Sequence, residues 1–157
     1  MNITFSNLES VSKALNRESD DYDPLSKEEI DLMRRRARSF ASNAKHLIKE
    51  GVYDLAAFNA EQAAQLYLKA TLLELIGDYP RTHSLITLLS ELRRVDEDLI
   101  TRFVRENRLK LHALEDAYLT SRYFVKEFDE SDAEELLEVS EEVIRLCEEL
   151  RHKLGKG

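Results

Sequence analysis

A chain of 157 residues with 23 Lys and Arg against 31 Asp and Glu carries a formal net charge of −8 at pH 7, and its size fits one domain. With 43% hydrophobic and 34% charged residues it is too apolar for a disordered chain, and no run approaches the ~20 apolar residues of a membrane span. A single cysteine, Cys147, excludes an internal disulfide and a multi-cysteine zinc site.

In chain order, Met1-Asn2-Ile3-Thr4-Phe5 lacks the basic and apolar regions of a secretory signal, which predicts a cytoplasmic protein. Ser6-Asn7-Leu8-Glu9 forms a weak capping box for a short N-terminal helix, and Asn16 to Asp23 reads as a polar, acidic linker. Residues 1–25 are thus an extension ahead of a domain over 26–157. Pro24 precedes the first long periodic segment, and Ser26-Lys27-Glu28-Glu29 is a capping box that opens a helix over 27–50. Its apolar face holds Ile30, Met33, Ala37, Phe40, Ala41, Ala44, Leu47 and Ile48 at helical spacing. Gly51 ends it, a second helix runs over 52–76, and Gly77 ends that one. Pro80 precedes a third helix over 83–95 with Thr82 as its N-cap. A fourth covers 97–123, and Ser131-Asp132-Ala133-Glu134 opens a fifth over 132–154. The fifth repeats the apolar stripe with Ala133, Leu136, Val143, Cys147, Leu150 and Leu154. No segment alternates like a half-buried strand. The expected fold is all-α, an antiparallel four-helix bundle with an additional short helix.

Charge is unevenly distributed along this plan. Residues 1–33 hold 3 basic and 8 acidic groups and residues 127–157 hold 4 and 11, whereas residues 34–126 hold 16 and 12. The middle of the chain is therefore net positive, and overall acidity does not exclude an anionic partner there. The acidic ends can equally screen that surface or pair with it.

The second helix, from Tyr53 to Ala70, is apolar nearly all round, as expected of a central helix. Yet Gln62, Gln65 and Lys69 fall in one narrow strip, with Glu61 at its border. Buried amides and amines require partners, so this strip is either a network, a pocket or an interface, or else a solvated boundary. The segment resembles the helix "yd-A-x-F-x-x-Q-A-A-E-x-x-L-K-A" of the HEPN family, the higher eukaryotes and prokaryotes nucleotide-binding domains. Pro80-Arg81-Thr82-His83-Ser84-Leu85 matches the family's "P-x-T-H-x-L" turn. Leu114-Glu115-Asp116-Ala117-Tyr118-Leu119-Thr120-Ser121-Arg122-Tyr123 matches its "L-x-x-A-Y-x-x-S-R-Y" block. Two positions depart from the pattern: Gln65 stands where the family often has Glu, and Phe124-Val125 where a Pro often follows. The resemblance implies a HEPN-like bundle that commonly dimerises and often accompanies a minimal nucleotidyltransferase. No Gly-Ser pair followed by paired aspartates occurs here, so such a partner would be a separate chain. The surplus of apolar positions on the second and fourth helices also points to a homodimer.

Several residues are candidates for chemistry. Some HEPN proteins are ribonucleases with an Arg and a His four to six residues apart, and Arg105 and His112 offer that pair with six between. A His moves the proton of a ribose hydroxyl and an Arg stabilises phosphate charge. Glu106, however, directly follows Arg105 and is a poor neighbour for phosphate, and helical projection sets both residues nearly opposite the core face of Phe103, Leu111, Leu114 and Tyr118. Ligand-binding candidates are Gln62, Gln65, Lys69, His83, Tyr118, Arg122 and Tyr123; Arg122 could clamp an acidic group or form an inter-helix salt bridge. His83 stands beside the start of the third helix, where it can hydrogen-bond the next helix or meet an anion. Arg34, Arg38, Lys45 and Lys49 form a basic stripe on the first helix that could track a phosphate backbone or simply be solvated. No metal site is expected, because only Glu149-Leu150-Arg151-His152 has bundle-metal spacing, and no Gly-rich loop cradles a cofactor. The expected function is a non-enzymatic HEPN module binding a nucleotide, RNA or a nucleotidyltransferase partner, within a toxin–antitoxin-type pair. A metal-independent ribonuclease and a purely structural adaptor are the alternatives.

Overall fold

The computed structural model describes residues 24–123 and 127–156, with the side chains of 27–119 and 127–156. It contains α1 (Pro24–Lys49), α2 (Tyr53–Leu75), α3 (Leu85–Glu91) extended by a 3₁₀ turn (Leu92–Arg94), α4 (Glu97–Tyr123) and α5 (Glu130–Lys153). Among the described residues there is no strand, so the all-α expectation holds. None of these helices is long and apolar enough to cross a membrane. The expected N-terminal helix and acidic linker lie outside the described residues.

Local chemistry explains most boundaries. Gly51 sits at φ +79°, where a side chain would be strained. There the Val52 amide returns to the Leu47 carbonyl and the Gly51 amide to that of Ile48, the paired bonds that close a helix around a left-handed glycine. Three helix starts differ from expectation. Pro24 is itself the first residue of α1, its fixed φ suited to that position, so Ser26 is already inside the first turn. Ser84, not Thr82, caps α3 by accepting from the Thr87 amide, while Thr82 accepts from the Ser84 amide one step upstream. Asp129, not Ser131, caps α5: its carboxylate accepts from the Asp132 amide at 2.7 Å, and Asp132 accepts from the Asp129 amide at 3.0 Å. The expected third helix is correspondingly a seven-residue α3 followed by the 3₁₀ turn.

α2 is the central element, packed against α1, α3, α4 and α5. Ala57, Ala60, Ala63 and Ala64 on α2 and Ala37 and Ala44 on α1 are fully buried, and such small side chains let helix axes approach closely. Tyr67, Leu68, Leu72, Leu85, Leu89 and Leu114 fill the centre, each apolar side chain contributing about 1.5–3 kcal/mol by burial. Ser140 on α5 is also fully buried and donates to the Ala60 carbonyl at 2.6 Å, tying α5 to α2.

Candidate functional site

The polar strip on α2 is a network rather than a solvated boundary. Residues 61, 65 and 69 are spaced by four, so α2 stacks their side chains on one face. Glu61 is fully buried at the inner end. Its two carboxylate oxygens accept from Gln62 Nε2 at 2.7 Å and from Gln65 Nε2 at 2.6 Å. Gln65 Oε1 in turn accepts from Lys69 Nζ at 3.0 Å, and His83 Nδ1 lies 3.4 Å from that same oxygen. The half-buried Lys69 ammonium also stands 5.4 Å from the centre of the Tyr79 ring, a favourable site for a cation. Burial pushes the Glu61 carboxyl up to about 7 against the pull of the Gln62 and Gln65 amides and the Lys69 charge, with Glu115 adding to the rise. Burial likewise lowers the Lys69 ammonium, opposed by Glu61.

A second set of contacts borders the strip. The His83 ring stacks on Tyr118 at 4.7 Å between centroids and 17° between planes, and Tyr118 stacks on Phe58 at 5.9 Å and 26°. Phe58 and Tyr118 are half-buried while His83 is exposed, so the rings form a ladder leading outward. Glu115, three residues before Tyr118 on α4, accepts from the Ser84 hydroxyl and the Ile86 amide, both at 2.9 Å. That carboxylate already occupies the start of α3, where the sequence left room for an external anion beside His83.

The other candidates separate from this site. Arg105 and His112 are both exposed on α4, and His112 Nδ1 lies 3.5 Å from Glu115 Oε2. On α1 the basic stripe is engaged by carboxylates of other helices. Arg34 is buried: its Nη1 bonds Asp31 at 3.0 Å, and its Nη2 lies 2.5 Å from Glu74 Oε2 as an ion pair without hydrogen-bond alignment. Arg151 of α5 reaches the other Glu74 oxygen at 2.7 Å. Although burial alone would raise Glu74, the Arg151 hydrogen bond and the adjacent Arg34 and Arg151 charges hold it below the ordinary range. Arg38 pairs with Glu148, which also accepts from the Tyr67 hydroxyl, and Lys45 lies 3.3 Å from Glu141. Lys49 alone of the four has no carboxylate partner among the described contacts and stays exposed. The acidic C-terminal segment thus pairs with the basic middle of the chain. The side chains of Arg122 and Tyr123 lie outside the described residues.

Sequence reasoning brought together Gln62, Gln65, Lys69, His83 and Tyr118, which do share one region. It did not assign Phe58, Tyr79 or Glu115, and it left Glu61 at the edge although that residue anchors the network. A buried carboxylate four residues before Gln65 is the available signal, since two amides on one turn need an acceptor. A groove of about 400 Å³ between α4 and α5, lined by Phe103, Glu106 and Arg145 among others, shares no residue with the strip. Among the described residues no group of three or more His, Cys, Asp or Glu is arranged to hold a metal ion.

Comparison with known proteins agrees with this architecture. The HEPN domain family matches residues 30–150. Among solved structures, the crystal structure of TT1696 from Thermus thermophilus is similar, with a TM-score of 0.64 and 26% identity, covering 77% of this chain and 97% of that one. Comparison with curated proteins gave no match.

Proposed function

The chain belongs to the HEPN domain family, and from that premise we propose that it is a non-catalytic module which binds a nucleotide or RNA through the Lys69 strip. The observation that carries this reading is a half-buried ammonium held on Gln65 beside an exposed histidine. An anionic, planar ligand satisfies both groups, the charge through electrostatics and the ring through stacking. The module acts as a homodimer, and a minimal nucleotidyltransferase on a separate chain is its partner in a toxin–antitoxin-type pair.

Native purification followed by mass spectrometry tests the partner and any retained nucleic acid together. RNA titrations at several salt concentrations test binding, because each neutralised phosphate steepens the salt dependence. Lys69→Ala is expected to weaken binding and to reduce the salt slope by about one phosphate. Recovery of neither ligand nor transferase, together with salt-independent or absent RNA binding, leaves a structural adaptor instead.

A ribonuclease reading has one observation in its favour: Glu115 beside His112 Nδ1 resembles an acid that orients a catalytic imidazole. Against it, Arg105 is followed by the exposed Glu106, and Glu115 is already held by Ser84 and Ile86. Incubating the protein with structured and single-stranded RNA in EDTA decides between them. The binding module is expected to leave RNA intact. Cleavage that falls by about 10²–10⁴-fold in a folded His112→Ala variant would establish the enzyme.

A further inference from the structure

We propose that the outward face of His83 is a stacking platform for a purine base, the open end of the Phe58–Tyr118–His83 ladder, with Lys69 set to meet the phosphate of the same nucleotide. This deepens the nucleotide-binding reading above and rests on it. One face of the imidazole is covered by Tyr118 at 4.7 Å, and its Nδ1 edge is turned to Gln65. His83 nevertheless remains exposed, and among the described residues these two contacts leave the second face and the Nε2 edge uncovered. An exposed ring normally moves among rotamers, but this one is fixed from behind by Tyr118 and from the side by Gln65. A platform held in this way loses little entropy when a planar ligand lands on it.

The second half of the site is electrostatic. Lys69 Nζ and His83 Nδ1 converge on one oxygen, Gln65 Oε1, so the cation and the ring are close neighbours at the same edge. Within the strip the ammonium has a neutral amide oxygen and the Tyr79 ring, while Glu61 is kept from it by Gln65. Among the described residues Gln65 is its one hydrogen-bond acceptor, so two of its three N–H groups remain to serve a phosphate. A base on His83 and a phosphate on Lys69 are the two ends of a single nucleoside phosphate. A purine is favoured over a pyrimidine because its larger ring overlaps the imidazole more fully. The same chemistry is offered by a free nucleotide and by an unpaired base in RNA, since every base has a π-face.

The test uses the full chain with AMP, CMP, ribose 5-phosphate and a short oligoadenylate, followed by calorimetry and by the His83 ring-proton signals in NMR. AMP is expected to bind more tightly than CMP or ribose 5-phosphate and to shift the His83 signals upfield. His83→Ala is expected to weaken AMP by about 5- to 150-fold while leaving ribose 5-phosphate unchanged. His83→Phe, which keeps a stacking face, should restore most of the affinity. Lys69→Ala should weaken AMP and ribose 5-phosphate alike. A tighter oligoadenylate than AMP, equally sensitive to His83→Ala, identifies RNA as the source; equal affinities identify the free nucleotide. AMP binding that survives His83→Ala, or is lost equally in His83→Phe, overturns the platform and leaves the nucleotide-binding reading standing. No binding of AMP, CMP or oligoadenylate by the folded wild-type protein overturns both.

Discussion

Glu61 is a carboxyl group whose ionisation is opposed by its position, since it is fully buried, is hydrogen-bonded by two neutral amides, and feels the Glu115 charge as well as that of Lys69. Its charge state reaches further than its own atoms. As a carboxylate it accepts from both Gln62 and Gln65, which fixes Gln65 with its oxygen toward Lys69 and His83. A proton on Glu61 weakens its acceptance from the two amides, and a Gln65 amide that turned over would present its NH₂ to the Lys69 ammonium. One amide thus links the buried carboxyl to Lys69 and His83. Burial raises the folded-state value from 4.5 to about 7, so the sign is the reverse of the usual salt-bridged carboxylate. Below pH 4.5 Glu61 is protonated in both states and makes no pH-dependent contribution. Between 4.5 and about 7 the unfolded chain releases its proton first, and stability falls as pH rises, by about 3 kcal/mol at most above pH 7. Lys69 on α2 and Glu115 on α4 act on the group, and His83 before α3 shares the Gln65 amide with it, so the comparison must be made against a variant that changes Glu61 alone. Urea unfolding between pH 5 and 8 is expected to show this decline in the wild type and a flatter profile in Glu61→Gln. Parallel profiles would refute it.

At the scale of helices, the capping residues are where local chemistry underdetermines structure. Asp129, Ser131 and Asp132 can each cap a helix, and a Glu lies three residues after Ser131. Asp129 has the extended backbone a cap needs, at φ −91° and ψ 177°, and exchanges side-chain bonds with Asp132. Asp129→Ala is therefore expected to lower stability by about 1 kcal/mol, whereas Ser131→Ala, inside the first turn and exposed, should change little. Thermal melts of the two variants check the order, and a larger loss in Ser131→Ala would reverse the assignment. What was legible in the sequence follows the same division between local and distant chemistry. The helices were readable because Gly51, Gly77 and the apolar periods act within a turn or two. The Gln62–Gln65–Lys69 strip was readable because residues three and four apart share a helical face. The partners that give the strip meaning, His83 and Glu115, arrive from another loop and another helix. The stripe on α1 resembled a solvated ladder for the same reason: Glu74, Glu141 and Glu148, which engage it, belong to α2 and α5.

At the scale of the whole molecule, the exposed face of α4 is where a second copy is expected to pair. Leu109 is 85% exposed at the centre of the outer face of α4, between the exposed Arg105 and His112. Large apolar side chains this open are ordinary when scattered, but here the flanking charges are arranged about the leucine. In the expected dimer, a two-fold axis through position 109, with α4 crossing its copy antiparallel, would bring Leu109 against itself. The same axis would set Arg102 opposite Asp116 of the second copy and Glu106 opposite His112 of the second copy, because both pairs are centred on residue 109. A two-fold interface requires this self-complementarity, each contact occurring twice. Such an interface would also give Glu106, an unfavourable neighbour for phosphate, a role in pairing. At micromolar concentration, light scattering is expected to give about twice the 18.2 kDa of one chain. Leu109→Glu places four like-charged groups, itself and Glu106 from each copy, at the centre of the contact and should give the single-chain mass with unchanged helicity. Arg102→Glu should weaken the dimer, and the double variant Arg102→Glu, Asp116→Arg should restore it, since the charges are exchanged but still opposed. A wild-type protein that scatters as a single chain would exclude a stable dimer, and a dimer that persists in Leu109→Glu would place the interface on another face.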